Sequence, residues 1–259
     1  MSSALFIAWR TGGPEHGSWS PVGKLEYAQG YYRFMYIRGA QTLQDFEPFP
    51  GMPSLDAVYE SETLFPIFAN RILSESRPEY EAYLTWAGFD PDNPPDPLAI
   101  LSVTEGRRQT DSLEVFPCPV PDGQGCYLTK FFLHGIRWMP RAAVDRVARL
   151  KSGEPLALMP DIMNTYDSHA VAVRTADVSE RHLLGYVPRY LARDVLTLLL
   201  TCAPDLIDLR VDRVNSDAPM QMRVLCRLNA CWPERFRPCA GEEFQPIVAA
   251  GSMGAKAVR

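Results

Sequence analysis

From residue 126 onward the chain is cut into short runs of β-branched and aromatic residues, separated by Gly, Pro and Asn/Asp punctuation. Strands are expected near 128–137, 155–160, 169–174, 182–187, 206–213 and 221–229, with short helices near 141–149 and 189–200. Several short strands at such close spacing point to a barrel or a sandwich. No internal repeat or low-complexity tract interrupts the pattern.

The front of the chain reads differently. Strands are expected at 5–9, 22–27 and 31–38, where Tyr31-Tyr32-Arg33-Phe34-Met35-Tyr36-Ile37 is dense in aromatic and β-branched residues and Gln29-Gly30 makes the preceding turn. The Pro/Gly-rich connection over 48–53 favours extended or turn geometry. Between Leu64 and Leu73, apolar residues at 64, 65, 67, 68 and 72 fall close to one helical face. Glu79 to Trp86 reads as a second short helix with Pro78 in its first turn. Leu98 to Val103 is a helix turn or a strand, and Leu113 to Phe116 a strand. The stretch Pro-Cys-Pro-Val-Pro-Asp-Gly-Gln-Gly over 117–125 reads as the linker. The expected division is a docking-sized domain over 1–117, a linker over 118–125, a barrel over 126–240 and a tail over 241–259, whose Gly/Ala-rich end from Ala249 is expected to fray.

At 259 residues and 46% hydrophobic, the chain holds one large domain or two ordinary ones. No apolar run has the length a bilayer requires. The start, Met1-Ser2-Ser3-Ala4-Leu5-Phe6, lacks the basic and apolar regions of an export signal, so a cytoplasmic location and reduced thiols are expected for the six cysteines. The net charge of −5 conceals an asymmetry: residues 126–259 carry 18 Lys+Arg against 14 Asp+Glu (+4), and residues 1–125 carry 8 against 17 (−9). Two partners of different kind fit that asymmetry, as do two ordinary solvated faces.

The chemistry-bearing residues gather between 131 and 193. Arg137 and Trp138 stand at the end of an expected strand; an arginine fork binds phosphate and an indole face stacks on an unpaired base. Tyr166 and Asp167 sit in a loop before a strand, one offering a second flat ring and the other an acceptor for sugar hydroxyls. Tyr186 lies just ahead of Pro188-Arg189, where a helix begins and an anion is favoured. The competing reading is bland: Asn164-Thr165-Tyr166-Asp167 is a turn whose Asx side chains satisfy the backbone, Trp138 is core, and the arginines are surface.

The ordered set Gly135-Ile136-Arg137-Trp138, Gly153-Glu154-Pro155-Leu156, Asn164 to Val173 and Gly185-Tyr186-Val187-Pro188-Arg189 resembles a HIRAN domain. That resemblance implies an OB-like β-barrel with short helices; with the mixed strands and helices read in the front half, the expected fold class is α+β. It further implies a pocket for the 3′ end of single-stranded DNA, lined by Arg137, Trp138, Tyr166, Asp167, Tyr186 and Arg189. Tyrosine is more usual than Trp138, and helicase members carry His and Lys where this chain has Tyr186 and Arg189.

In the front half, Ser20 to Tyr27, Tyr32 to Tyr36, Leu64 to Leu73, Asp96 to Leu101 and Leu113 to Pro117 resemble the N-terminal subdomain of HipA-type toxin kinases. The resemblance implies a bacterial toxin–antitoxin setting and a HipA-type kinase as protein partner. The chain itself has no Gly-rich nucleotide loop, no Asp-Phe-Gly, no Gly-x-Ser-x-Gly elbow and no P-loop, so no enzyme activity and no cofactor are expected. Cys202, Cys226, Cys231 and Cys239 lack the short paired spacing of a zinc site.

Overall fold

The computed structural model describes residues 4–10, 19–108, 112–231, 233, 236–248 and 256–257. By contact they form two compact units, neither continuous in sequence: residues 1–77, 95–118 and the described part of 239–259 in one, and 78–94 with 119–238 in the other. A division drawn along the chain, as the sequence invites, places 78–94 in front and leaves 241–259 apart as a tail. Most of the expected fraying end lies outside the described residues.

The first unit is built on a six-stranded sheet. Its strands are β1 (Ala4–Arg10), β2 (Trp19–Ala28), β3 (Tyr31–Tyr36), β4 (Val58–Ser61) and β5 (Leu113–Pro117), with the two-residue β12 (Lys256–Ala257) at the edge, in the order β12-β4-β3-β2-β1-β5. Helices α1 (Pro66–Ala69) and α3 (Pro97–Thr104) belong to the same unit, and Asp96 caps α3 by accepting the N–H groups of Leu98 and Ala99. Aromatic rings dominate the core: Phe34 lies 4.9 Å from Tyr36, 5.6 Å from Phe49 and 5.5 Å from Phe68, centroid to centroid. The helix expected across 64–73 shrinks to one turn, yet Phe65 and Phe68 are in the core and Leu64, Ile67 and Ile72 pack against it. Burial, not helicity, accounts for that apolar pattern. The segment after Cys239 joins this unit through Arg38 N–H to Gln245 O and Ile247 N–H to Tyr36 O.

The second unit is a curled sheet interspersed with short helices, an OB-like architecture. Its strands are β6 (Cys126–Phe132), β7 (Pro155–Pro160), β8 (Val171–Thr175), β9 (Leu183–Tyr186), β10 (Ile207–Val214) and β11 (Val224–Cys231), ordered β6-β11-β10-β7-β8-β9. Bulges at Val173/Arg174 and Val211/Arg213 bend it. An isolated bridge joins its two ends: His134 N–H donates to Tyr186 O at 3.0 Å and Tyr186 N–H to His134 O at 2.9 Å. Helices α4 (Arg141–Val147) and α5 (Arg189–Thr201) accompany it, α5 burying Tyr190, Leu191, Val195 and Leu198. Helix α2 (Tyr80–Trp86) also belongs here, because the buried Asn215 donates to Trp86 O at 3.0 Å. The strand expected over 128–137 stops at Phe132; Gly135, at φ 74°, turns the chain into a 3-10 turn over Ile136–Trp138, so Arg137 and Trp138 stand on a turn and not on a strand end.

Two predictions follow from the packing. A Cβ on Gly185 would lie 2.4 Å from His134 O and 2.9 Å from Leu133 Cγ, at the bridge that closes the sheet. Gly185→Ala is expected to cost about 2–4 kcal/mol, read from the urea midpoint. In the first unit, the Tyr36 hydroxyl donates to Met52 O and accepts from Phe49 N–H, and burial pushes its pKa up, the Phe49 bond pulling the other way. A raised folded pKa gives stability that is complete below about pH 10 and lost as pH rises toward the folded value. Urea stability should therefore fall above about pH 10, and Tyr36→Phe should flatten part of that slope.

Candidate functional site

Tyr186 ends β9 and is held from several sides. Its backbone makes the closing bridge to His134. Its ring lies against Gly135, where an added Cβ would meet Cδ2 at 3.3 Å. Its hydroxyl donates to Asp161 Oδ2 at 2.9 Å. Burial, then the Asp161 bond, raises the tyrosine pKa, which keeps the donor proton in place.

Asp161 organises the loop between β7 and β8. Besides the tyrosine hydroxyl it accepts Met163 N–H at 3.3 Å and the Asn164 side-chain amide at 3.2 Å. Asn164 Oδ1 in turn accepts the N–H groups of Tyr166 and Asp167, both at 3.0 Å, and Asp167 Oδ1 accepts His169 N–H at 2.9 Å. Asp161 N–H to Ala170 O, at 2.8 Å, closes the base of the loop. The Asx-turn reading of Asn164 thus holds, and it has a consequence: with turns made by Asp161, Asn164 and Asp167, the intervening side chains point to solvent. Ile162 is 89% exposed, Met163 82% and Tyr166 64%.

Arg189 opens α5. Its Nη2 donates to Tyr166 O at 2.8 Å and its Nε lies 3.8 Å from Asp167 Oδ2, so this cation is tied to the loop. Arg137 is different. Its guanidinium carbon sits 4.6 Å above the Trp138 ring centroid, and among the described residues it makes no ion pair. Trp138 is 66% exposed and is not core. A stacked guanidinium keeps its N–H fork for an outside acceptor while its face is desolvated by the indole.

Four expected residues, Tyr166, Asp167, Tyr186 and Arg189, therefore form one connected set through Asp161 and Asn164. Arg137 and Trp138 follow Gly135, against which the Tyr186 ring lies. Pattern reading missed Asp161, Ile162 and Met163. The Asp161–Asn164 spacing was a legible Asx signal, but the Asp161–Tyr186 bond joins residues 25 apart and leaves no local trace. The basic pair Arg107-Arg108 is engaged internally: Arg107 Nε pairs with the buried Glu114 at 3.0 Å and Arg108 donates to Asn70 O. Among the described residues no group of three or more His, Cys, Asp or Glu side chains could hold a metal ion, and no helix is long and apolar enough to cross a membrane.

Residues 127–230 match the HIRAN domain family, which leaves the front of the chain outside the match. Two crystal structures are similar. One is a protein from Lactobacillus plantarum solved by a structural genomics consortium, 18% identical over 41% of this chain and 99% of that one, with a TM-score of 0.31. The other is the HIRAN domain of human HLTF, 17% identical over 46% of this chain and 86% of that one, also at 0.31. No curated protein matches. On the family match, a HIRAN-like domain occupies the C-terminal half of the chain.

Removing the tie that holds the loop tests the geometry. Tyr186→Phe should leave the far-ultraviolet circular dichroism unchanged and lower protection against hydrogen exchange at the Met163, Tyr166 and Asp167 amides by up to about 1.5–3 kcal/mol, the worth of a hydrogen bond to a charged group.

Proposed function

We propose that the HIRAN-like domain is a non-catalytic adaptor that holds an unpaired DNA strand, with its 3′ end, against the surface of Arg137, Trp138, Tyr166, Asp167 and Arg189. The observation that carries this reading is the Arg137 guanidinium, stacked on an exposed indole and without an internal carboxylate among the described residues. A stacked cation beside an exposed ring offers a phosphate its N–H fork and an unpaired base a flat face, so one strand satisfies both. Tyr166 supplies a second ring, and Ile162 and Met163 extend the apolar surface beside it. Asp167 accepts His169 N–H on Oδ1 and has Oδ2 3.8 Å from Arg189 Nε, an oxygen that a terminal sugar hydroxyl would share with that arginine. Tyr186 and Asp161 act as positioning residues, since the tyrosine hydroxyl is already engaged.

For the front unit, residues 1–77, 95–118 and 239–259 carry 14 Asp+Glu against 10 Lys+Arg, an acidic balance of −4 that supports docking of a basic protein surface. Its resemblance to the HipA-type subdomain makes a separately encoded kinase of that class the partner to look for. A pull-down with the full chain that recovers no such kinase sets that partner aside without touching the DNA reading.

Fluorescence titration of short single strands tests the main proposal. Arg137→Ala with Tyr166→Ala should weaken binding by roughly 10- to 1,000-fold, one stacked base and one phosphate contact being lost. Arg137→Ala alone should reduce the slope of log affinity against log salt by about 0.7. Blocking the strand's 3′-hydroxyl should weaken binding to the intact chain. Unchanged affinity in the double variant removes this surface from the account.

A further inference from the structure

Cys126 and Cys231 stand opposite one another across β6 and β11. Just beyond the last paired residues of this antiparallel ladder, Leu133 N–H donates to Val224 O at 2.9 Å. Hydrogen-bonded and non-hydrogen-bonded pairs alternate along such a ladder. Position 126 is an odd number of steps from 133, so Cys126 and Cys231 make a non-hydrogen-bonded pair. The Cys126 backbone agrees: its N–H goes to Asp122 Oδ1 at 2.9 Å and its carbonyl accepts Asp122 N–H at 3.1 Å. At a non-hydrogen-bonded pair the Cα atoms lie about 4.5 Å apart with both side chains on one face. That separation falls inside the roughly 4.4–6.8 Å a disulfide spans.

The face is the outer one. Tyr127 and Ala230, the next pair, are buried, while Cys231 is exposed and Cys126 half-buried. A third thiol is close by, Cys202 Sγ donating to Cys231 O at 3.3 Å. All six cysteines are unbridged.

We propose that Cys126 and Cys231 form a redox modification site, a dithiol that a small-molecule disulfide converts to a cross-strand disulfide. The Cys231 thiolate attacks one sulfur of the small disulfide and expels the other half as a thiolate. Cys126, on losing its proton to solvent, attacks the Cys231 sulfur and expels the second half. The protein loses two electrons and two protons, and the small disulfide is reduced to two thiols. The new bond joins the first residue of β6 to the last of β11, immediately outside the 127–230 match, and so staples together both ends of the HIRAN-like domain. A ring of roughly 100 residues is among the larger loops a disulfide closes, where the gain from restricting the unfolded chain is greatest in the loop-entropy picture.

The experiment treats the purified full chain with oxidised glutathione, quenches with acid, alkylates under denaturing conditions and maps peptides by mass. The expected result is a mass loss of two hydrogens, a peptide pair linked through Cys126 and Cys231, and a melting temperature raised by roughly 5–10 °C and returned by dithiothreitol. Cys126→Ser and Cys231→Ser should each abolish the linked pair, and Cys202→Ser should retain it. A link from Cys202 to Cys231, mixed disulfides alone, or the same two-hydrogen loss in Cys126→Ser overturns the assignment.

Discussion

The second unit depends on a single residue doing two jobs at one place. The backbone of Tyr186 closes the curled sheet against His134, and its hydroxyl, a ring's length away, anchors Asp161 in the loop between β7 and β8. Sheet closure and loop shape are thereby coupled: the bridge sets where the ring stands, and the ring sets where the carboxylate must be. Gly135 and Gly185 are the spaces that allow it, one leaving room for the tyrosine ring and the other letting β9 approach the His134 carbonyl. The turn carrying Arg137 and Trp138 begins at that same glycine.

This arrangement divides labour among polar residues that look alike in sequence. Asp161, Asn164 and Asp167 spend their oxygens on backbone N–H groups and on Tyr186, which fixes a loop with large apolar side chains in water. Two arginines of similar expected role also separate. Arg189 braces the loop through the Tyr166 carbonyl, whereas Arg137 lies on an indole with its fork turned to solvent. Cations already neutralised by the fold steer a ligand weakly; a stacked, uncompensated one is where binding energy is available.

Many of the strand positions were legible because short apolar runs between turn residues have few ways to bury themselves. The expected strand at 155–160 coincides with β7, and the expected helices at 141–149 and 189–200 lie within two residues of α4 and α5. Errors fall where local pattern and tertiary contact disagree. The run 64–73 has a helical apolar face but is needed as a core plug more than as a helix. Four residues at Val58–Ser61 carry too little pattern to be read as β4, and they are a strand because β3 offers them an edge. Segments 78–94 and 239–248 change units because their partners, Asn215 for one and Arg38 and Tyr36 for the other, are distant in the chain.

Legible in the amino-acid order were the mixed α+β content, the close spacing of short strands and, as one of two readings of the loop, the Asx turn at Asn164, since each is encoded in neighbours within a turn or a strand length. The tertiary structure alone decided that Trp138 is surface, that Arg189 is tied while Arg137 is stacked, that Asp161 is the hub of the loop, and that two cysteines at opposite ends of the domain face each other. Those outcomes turn on register and closure, which are set by contacts between residues far apart in the chain and so leave no mark on any local stretch of it.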